Sequence, residues 1–305
     1  MNEAATYDLE RKTRVQKIVR MVFLYTMLTL FAIFVLIPFY WMILSSLKTP
    51  EQIESVPPAL WLRFSEMQFS NYYEAVFSVD SQPFLRYMYN TVIVAALSTA
   101  GTVITTVLSA FAFARLNFRF KELFFLLLIM TMMIPGEMFV ITNFITVNQL
   151  GWVRPDQTYW DALMAMSIPF MTSIFYIFFL RQTFKTIPDE LYYAAKVDGT
   201  KDFKYLWKVM IPIARPTIIT ITILNAMGTW NAYIWPQLVT STRHGRLYHY
   251  QLVSNGLRNA FSAEFQPQIH LQMAAAFMVT LPILIVFFLL KKHIMRGVSR
   301  SGIKG

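Results

Sequence analysis

An all-α, polytopic membrane protein with six transmembrane helices is the fold class that three observations predict. The chain of 305 residues is 56% hydrophobic and 14% charged, with a mean hydropathy of +0.45, whereas soluble globular chains carry about 25% charged residues. Its charge-free runs match a bilayer in length. A hydrocarbon core of ~30 Å needs roughly 20 helical residues, and a charge at mid-span costs about 2.5–3.5 kcal/mol on insertion. Finally, Lys and Arg crowd alternate connections, the asymmetry that sets membrane orientation.

Residues 1–20 are polar and basic, with Arg11, Lys12, Arg14, Lys17 and Arg20. They read as a cytoplasmic N-terminal segment, a frayed or surface helix. The apolar run that follows is too long for a signal-peptide core and lacks a small-residue cleavage site. That run, 21–47, is the first span. Residues 48–86 form an external segment, where Pro57-Pro58 and several aromatics predict a partly ordered cap. The second span, 87–114, contains Ala96, Ser98, Ala100, Gly101, Ser109, Ala110 and Ala112, small residues that let helices approach closely in lipid. The connection 115–121 holds three basic residues. The third span, 123–150, is broken only by Glu137. The fourth covers 162–180, after which 181–215 holds seven basic residues. The fifth covers 216–242, with external residues over 237–270, and the sixth 271–290. The tail, 291–305, holds five more basic residues. The other connections keep only Lys48, Arg63, Arg86, Arg154, Arg243, Arg246 and Arg258. This bias predicts both termini in the cytoplasm, flanking a transmembrane domain over 21–290. Pro38, Pro135, Pro169 and Pro282 fall inside spans, and each is expected to bend its helix by removing one backbone bond.

Several function classes drop out. The net charge of +10 comes from residues flanking spans and not from a separate basic domain, so no nucleic-acid partner is expected. Without Cys there is no disulfide, thiol chemistry or Cys-based metal site. His244 and His249 are five apart in an external loop, and His270 and His293 stand alone; none has metal-ligand spacing with a carboxylate, and all four read as solvated. The spans hold no paired carboxylates or nucleophile arrangement, so no catalytic residue, metal or cofactor is expected. The tail around Gly297 to Lys304 differs from a phosphate-binding loop, which needs Gly-Lys-Ser/Thr contiguous between a strand and a helix.

The most polar run in the second half is 187–216. It sets Lys196, Lys201, Lys204, Lys208 and Arg215 against Asp189, Glu190, Asp198 and Asp202. Pro188 suits a first helical turn. Leu191, Ala194 and Ala195 fall at i, i+3, i+4 and make one short, shallow face. Gly199 can take the left-handed conformation that ends a helix. A second helix is expected from near Thr200 to Trp207. The predicted product is a small helix–turn–helix shaped to lie in a groove of another protein.

Tyr193-Ala194-Ala195, Asp198-Gly199, Val209-Met210-Ile211-Pro212 and Pro216 resemble the "EAA" loop of bacterial ABC-importer permeases. Asn71-Tyr72 before Tyr89-Asn90-Thr91, Phe111 to Arg115, Trp230-Asn231 with Trp235-Pro236, and Gly297 with Gly302-Ile303-Lys304-Gly305 resemble the carbohydrate-uptake branch. The resemblance spans nearly the whole chain in order. It implies the six-span permease fold with a cytoplasmic coupling helix, in the bacterial cytoplasmic membrane. It implies ATP-driven uptake of a sugar or oligosaccharide by alternating access, with hydrolysis on another chain. The implied partners are a second permease subunit, two ABC ATPase subunits and an extracytoplasmic solute-binding protein. Glu190, Leu191, Tyr193, Ala194, Ala195, Asp198 and Gly199 would meet the ATPase, and Gly302, Lys304 and Gly305 would reach it from the tail. One departure is that Tyr193 stands where the family has glutamate; Glu190, one turn earlier, could substitute. A permease of the same superfamily for another solute, such as a glycerol phosphoester, stays open, as does an ion-coupled carrier.

For the pathway, Glu137 is the one acid inside a span, and such residues are functional candidates by default; the alternative is an interfacial site after Pro135-Gly136. Asn225, Trp230, Asn231, Tyr233 and Trp235 approach the end of the fifth span. Amides bond sugar hydroxyls and rings stack on apolar sugar faces, although an interfacial aromatic belt predicts the same residues. Asn143 is a further polar candidate.

Overall fold

In the computed structural model, 3–77, 84–154, 156–240, 250–261 and 268–299 are described, without the side chains of 3–12, 258–261 and 292–299. The helices, in chain order, are α1 (Glu3–Ser46), α2 (Pro50–Glu54), α3 (Ser70–Phe77), α4 (Phe84–Arg115), α5 (Lys121–Thr131), α6 (Val140–Gln149), α7 (Tyr159–Ser167), α8 (Ile174–Lys185), α9 (Asp189–Val197), α10 (Asp202–Tyr205), α11 (Ile211–Trp230), α12 (Ile234–Thr240), α13 (Val253–Phe261) and α14 (Ile269–Ser299). No strand occurs among the described residues. Four helical stretches are long and apolar enough to cross a membrane, and six spans result if α5 with α6, and α7 with α8, each count as one bent span.

The chain divides into two units, 1–75 with 268–277 and 76–267 with 278–305. In the first, α1 continues without a stop from the basic N-terminal segment into the first span, so that segment is not a separate surface helix. Leu44, Leu47 and Leu62 form a small core below the external segment. Lys48 is buried, donates to the Ala59 carbonyl at 2.7 Å and stands 4.6 Å from the Trp41 ring centre. Desolvation lowers its pKa. Asn71 ties the turn down by donating to the carbonyls of Ser46 and Lys48, both at 2.9 Å. His270 is half-buried, not solvated.

The second unit is built around α4, which α7, α8, α11 and α13 pack against. Its inward stripe is small and polar: Thr91, Ser98, Thr102, Thr106 and Ala110 are buried, while Ala96 and Ala100 face out. Small residues allow close packing in a setting where apolar burial gives no drive. Two cores result, one around Phe111, Phe184, Tyr205 and Met210 and one around Val94, Met166, Trp235 and Leu252.

Two of the four prolines coincide with breaks between helices. The α5–α6 pair turns by 90° at a break containing Pro135, and the α7–α8 pair by 51° near Pro169. Pro38 and Pro282 instead lie inside uninterrupted helices, because a helix can survive one missing bond when nothing else pulls it apart. The Pro169 break leaves carbonyls that α4 takes over. Thr102 donates to the Phe170 carbonyl at 3.0 Å and Thr105 to that of Met171 at 2.6 Å. Gly101 permits this approach, since a Cβ there would collide with the Met171 side chain. The helix after the Gly199 turn is also longer than expected. It does not stop at Trp207 but runs from Asp202 to Trp230 through a π turn over Leu206–Met210, and Pro212 and Pro216 sit inside it. The fifth span ends at Trp230, followed by a break and the short α12, not at 242.

Candidate functional site

Two places collect the sequence candidates: the α9 hook and a cavity among helix breaks. The hook begins where α8 ends. Asp189 and Glu190 lie in the first turn of α9, and Lys196 in the last, each matching the sign of the helix dipole there. The helix stops at a Schellman cap. Gly199 has φ +69°, its N–H donates to the Lys196 carbonyl at 3.0 Å, and the Thr200 N–H donates to the Ala195 carbonyl at 2.8 Å. Gly fits this left-handed position without a Cβ clash.

The hook is anchored from its inner side. Tyr192 and Ala195 pack on the core that contains Tyr205, with the Tyr192 and Tyr205 rings 5.1 Å apart. Tyr192 donates its hydroxyl proton to Asp202 at 2.7 Å, and Lys196 pairs with the same carboxylate at 2.6 Å. That hydrogen bond raises the Lys196 pKa, and burial, followed by the bond to Asp202, raises that of Tyr192. The expected Leu191–Ala194–Ala195 face is therefore divided. Ala195 turns inward, while Glu190, Leu191, Tyr193, Ala194, Val197 and Asp198 are exposed. Among the large apolar side chains, Tyr193 is 63% exposed and Val197 88%, which leaves an unpartnered apolar ridge.

Arg115 fixes where the hook starts. It is buried at the end of α4 and ion-pairs with Asp189 of α9. It also donates to the Phe184 carbonyl at 2.9 Å and to the Ile187 carbonyl. One planar guanidinium thus joins the ends of α4 and α8 to the first turn of α9, a geometry that lysine cannot copy. Nearby, buried Arg181 forms a two-pronged pair with Glu122 at 2.7 and 2.8 Å and lies 3.7 Å from the Phe125 ring centre. In sequence, Arg181 read as an orientation signal and Arg115 as that and the end of a family stretch, so their anchoring role was hidden.

The cavity has a volume of about 710 Å³. Three interruptions border it: Gly136 and Glu137 after the α5 break, Thr172 and Ser173 before α8, and Asn231 to Tyr233 between α11 and α12. Irregular backbone at membrane depth is tolerated where it is buried in protein or lines a cavity. Of the sequence candidates, Glu137, Asn225 and Asn231 line it, as do Tyr233 and Trp235. Thr99 donates to Asn225 Oδ1 at 3.0 Å, and Asn231 donates to the Met227 carbonyl at 2.9 Å. Trp235 is buried, donating its indole N–H to the Ala165 carbonyl at 3.0 Å. Asn143 and Trp230 do not line the cavity. Sequence reasoning missed Ser173, Tyr176 and Thr229 in its wall, and read Ser98, which also lines it, as a packing residue. Hydroxyls are too common in spans to stand out. No group of three potential metal ligands occurs among the described residues. Gly302, Lys304 and Gly305 lie outside the described residues.

A family model described as "Binding-protein-dependent transport system inner membrane component" matches residues 106–300, which include the hook and most of the cavity wall. The chain is 28% identical to the lactose transport system permease protein LacG of Rhizobium radiobacter, over 91% of this chain and 94% of that one. It is 27% identical to the sn-glycerol-3-phosphate transport system permease protein UgpE of Yersinia enterocolitica, over 92% and 96% respectively. In fold it is similar to a chain of a solved structure described as "Crystal structure of a bacterial ABC transporter involved in the import of the acidic polysaccharide alginate". The TM-score is 0.74 at 23% identity, covering 92% of this chain and 97% of that one.

Proposed function

The chain belongs to the family of binding-protein-dependent transport system inner membrane components, and from that membership we propose that it is the permease subunit of an ATP-driven importer of a sugar or oligosaccharide. Membership implies a binding protein and an ATPase as partners. In the finer reading, this chain pairs with a second permease, two ATPase subunits engage the cytoplasmic side, and the binding protein delivers solute from outside. Both termini then lie in the cytoplasm, and ATP is hydrolysed on the partner, not here.

The observation that carries this reading is the two-sided hook. Its inner side is fastened to α4, α8 and α10, while its outer ridge of Leu191, Tyr193, Ala194 and Val197 is exposed. An apolar ridge on a short, rigidly based helix suits a groove in another protein. In this mechanism, closure of the ATPase pair pushes the ridge. Arg115 and the unbroken Asp202–Trp230 helix carry the displacement to the cavity wall at Asn225 and Asn231. The rest of the chain opens and closes a path and makes no covalent bond.

Purification from membranes tests the assignment. An ATPase and a second permease should copurify, and sugar-loaded binding protein should stimulate hydrolysis. A complex without an ATPase overturns it. Gly199→Val tests the hook itself. The left-handed conformation costs a residue with a Cβ about 1–2 kcal/mol, although there is space around the site. Insertion should persist and uptake should fall at least tenfold, whereas Gly199→Asn, which tolerates this conformation, should retain most uptake. The homology to UgpE supports a second reading, in which the solute is a glycerol phosphoester.

A further inference from the structure

The relatives named above handle neutral and anionic solutes alike, so family membership leaves the charge of the cargo open. The cavity wall bears on it. Among its described lining residues there is no Lys, Arg or His, and the one carboxyl side chain is that of Glu137. Glu137 is exposed, and it is not paired with any cation in the wall. The remaining polar groups are hydroxyls and amides, represented by Ser98, Tyr176, Asn225, Thr229 and Asn231.

Anionic ligands are normally met by guanidinium or ammonium groups, because charge-assisted bonds replace the lost hydration. This wall has none to offer. The N-terminus of α8 does border the cavity, but Ser173 already caps it by accepting the Tyr176 N–H at 3.4 Å. Uncharged polyols need only what the wall has: hydroxyls, amides and aromatic faces. The buried arginines of this unit are instead committed elsewhere, Arg115 to Asp189 and Arg181 to Glu122.

We propose that the solute path formed by this cavity is selective for uncharged sugars, with Glu137 repelling carboxylated or phosphorylated ones. The inference rests on the transport reading above and specifies its substrate class. Glu137 enters as a specificity residue. Like charges a few ångströms apart repel even near a protein surface, which sets the expected discrimination at roughly tenfold or more.

Galactose and galacturonate differ at one carbon, a hydroxymethyl against a carboxylate, and form a matched pair of probes. With the assembled complex in nanodiscs and the binding protein omitted, saturation-transfer NMR reads weak contact directly. Galactose should give transfer at least tenfold stronger than galacturonate. Glu137→Lys should narrow that ratio by about tenfold or reverse it, and Glu137→Gln should fall between. Equal or stronger transfer to galacturonate in the unaltered complex overturns the proposal, as does a ratio that Glu137→Lys leaves unmoved. No transfer to either sugar overturns it as well, by removing the cavity from the solute path. The transport reading fails separately, on the copurification and stimulated hydrolysis described above.

Discussion

At the end of α4, Arg115 is buried and bonded to a carboxylate and two carbonyls of neighbouring helices. Further back along the same helix, Ser98 borders an open cavity where Glu137 lies exposed. The hook end pairs its buried cation internally, since a buried cation without its partners is strongly unfavourable. The cavity end leaves hydroxyls and amides facing space, where a solute or water can take them. One pair of helices, α4 and α11, thus runs from a region fixed by ions to a region lined for exchange. The difference predicts that mutation will separate the proposed lever from the proposed path, although they share a backbone.

The largest expected effect is at the fixed end. Arg115→Ala removes the shared donor of two carbonyls, while Asp189, 65% exposed, is taken over by water. Leaving a buried acceptor unsatisfied costs about 1–3 kcal/mol, so the complex should melt at lower temperature and lose solute-stimulated hydrolysis. Arg115→Lys keeps the charge but not the fork and should land between. Wild-type stimulation in Arg115→Ala would erase the distinction between the two ends.

A smaller effect is expected beside the cavity. A Cβ at Gly256 of α13 would collide with the Tyr87 ring of α4. Over-packing of this kind costs about 1–3 kcal/mol. Gly256→Ala should lower the melting temperature of the complex and alter uptake of a bound sugar more than basal hydrolysis. The reverse pattern would place α13 with the lever.

The smallest concerns the hook's surface pair. Lys196 and Asp202 are both about 40% exposed, at 43% and 38%, and such pairs contribute about 0–1 kcal/mol. Lys196→Met should leave uptake and melting nearly unchanged, because Tyr192 still bonds Asp202. A large loss would mean that the pair is part of the lever and not a trim on it.

Much of this was legible in the chain itself. Charge-free stretches located the spans because a mid-bilayer charge is costly, and Gly199 marked the turn because few other residues adopt its backbone. The inner and outer faces of α9 were not legible: in nine residues, both Tyr192–Ala195 and Leu191–Ala194 show helical spacing, and only packing on Tyr205 decides between them. Pro38 and Pro282 leave their helices uninterrupted, because a proline removes a bond without forcing a break. Glu137, Asn225 and Asn231 were found by their polarity, with resemblance adding to Asn231, whereas Trp230, chosen for its ring and the same resemblance, does not line the cavity.

The hydroxyls of Thr102 and Thr105 that hold the Phe170 and Met171 carbonyls have a mechanical consequence. These two backbone oxygens are gripped from a neighbouring helix and not from their own, so α8 can swivel about that joint without tearing the ladder on either side. A side-chain hydroxyl can trade one acceptor for another, or for a water molecule, with little loss. The kink is thereby a pivot with a replaceable pin, set beside the cavity that Phe170, Thr172 and Ser173 line.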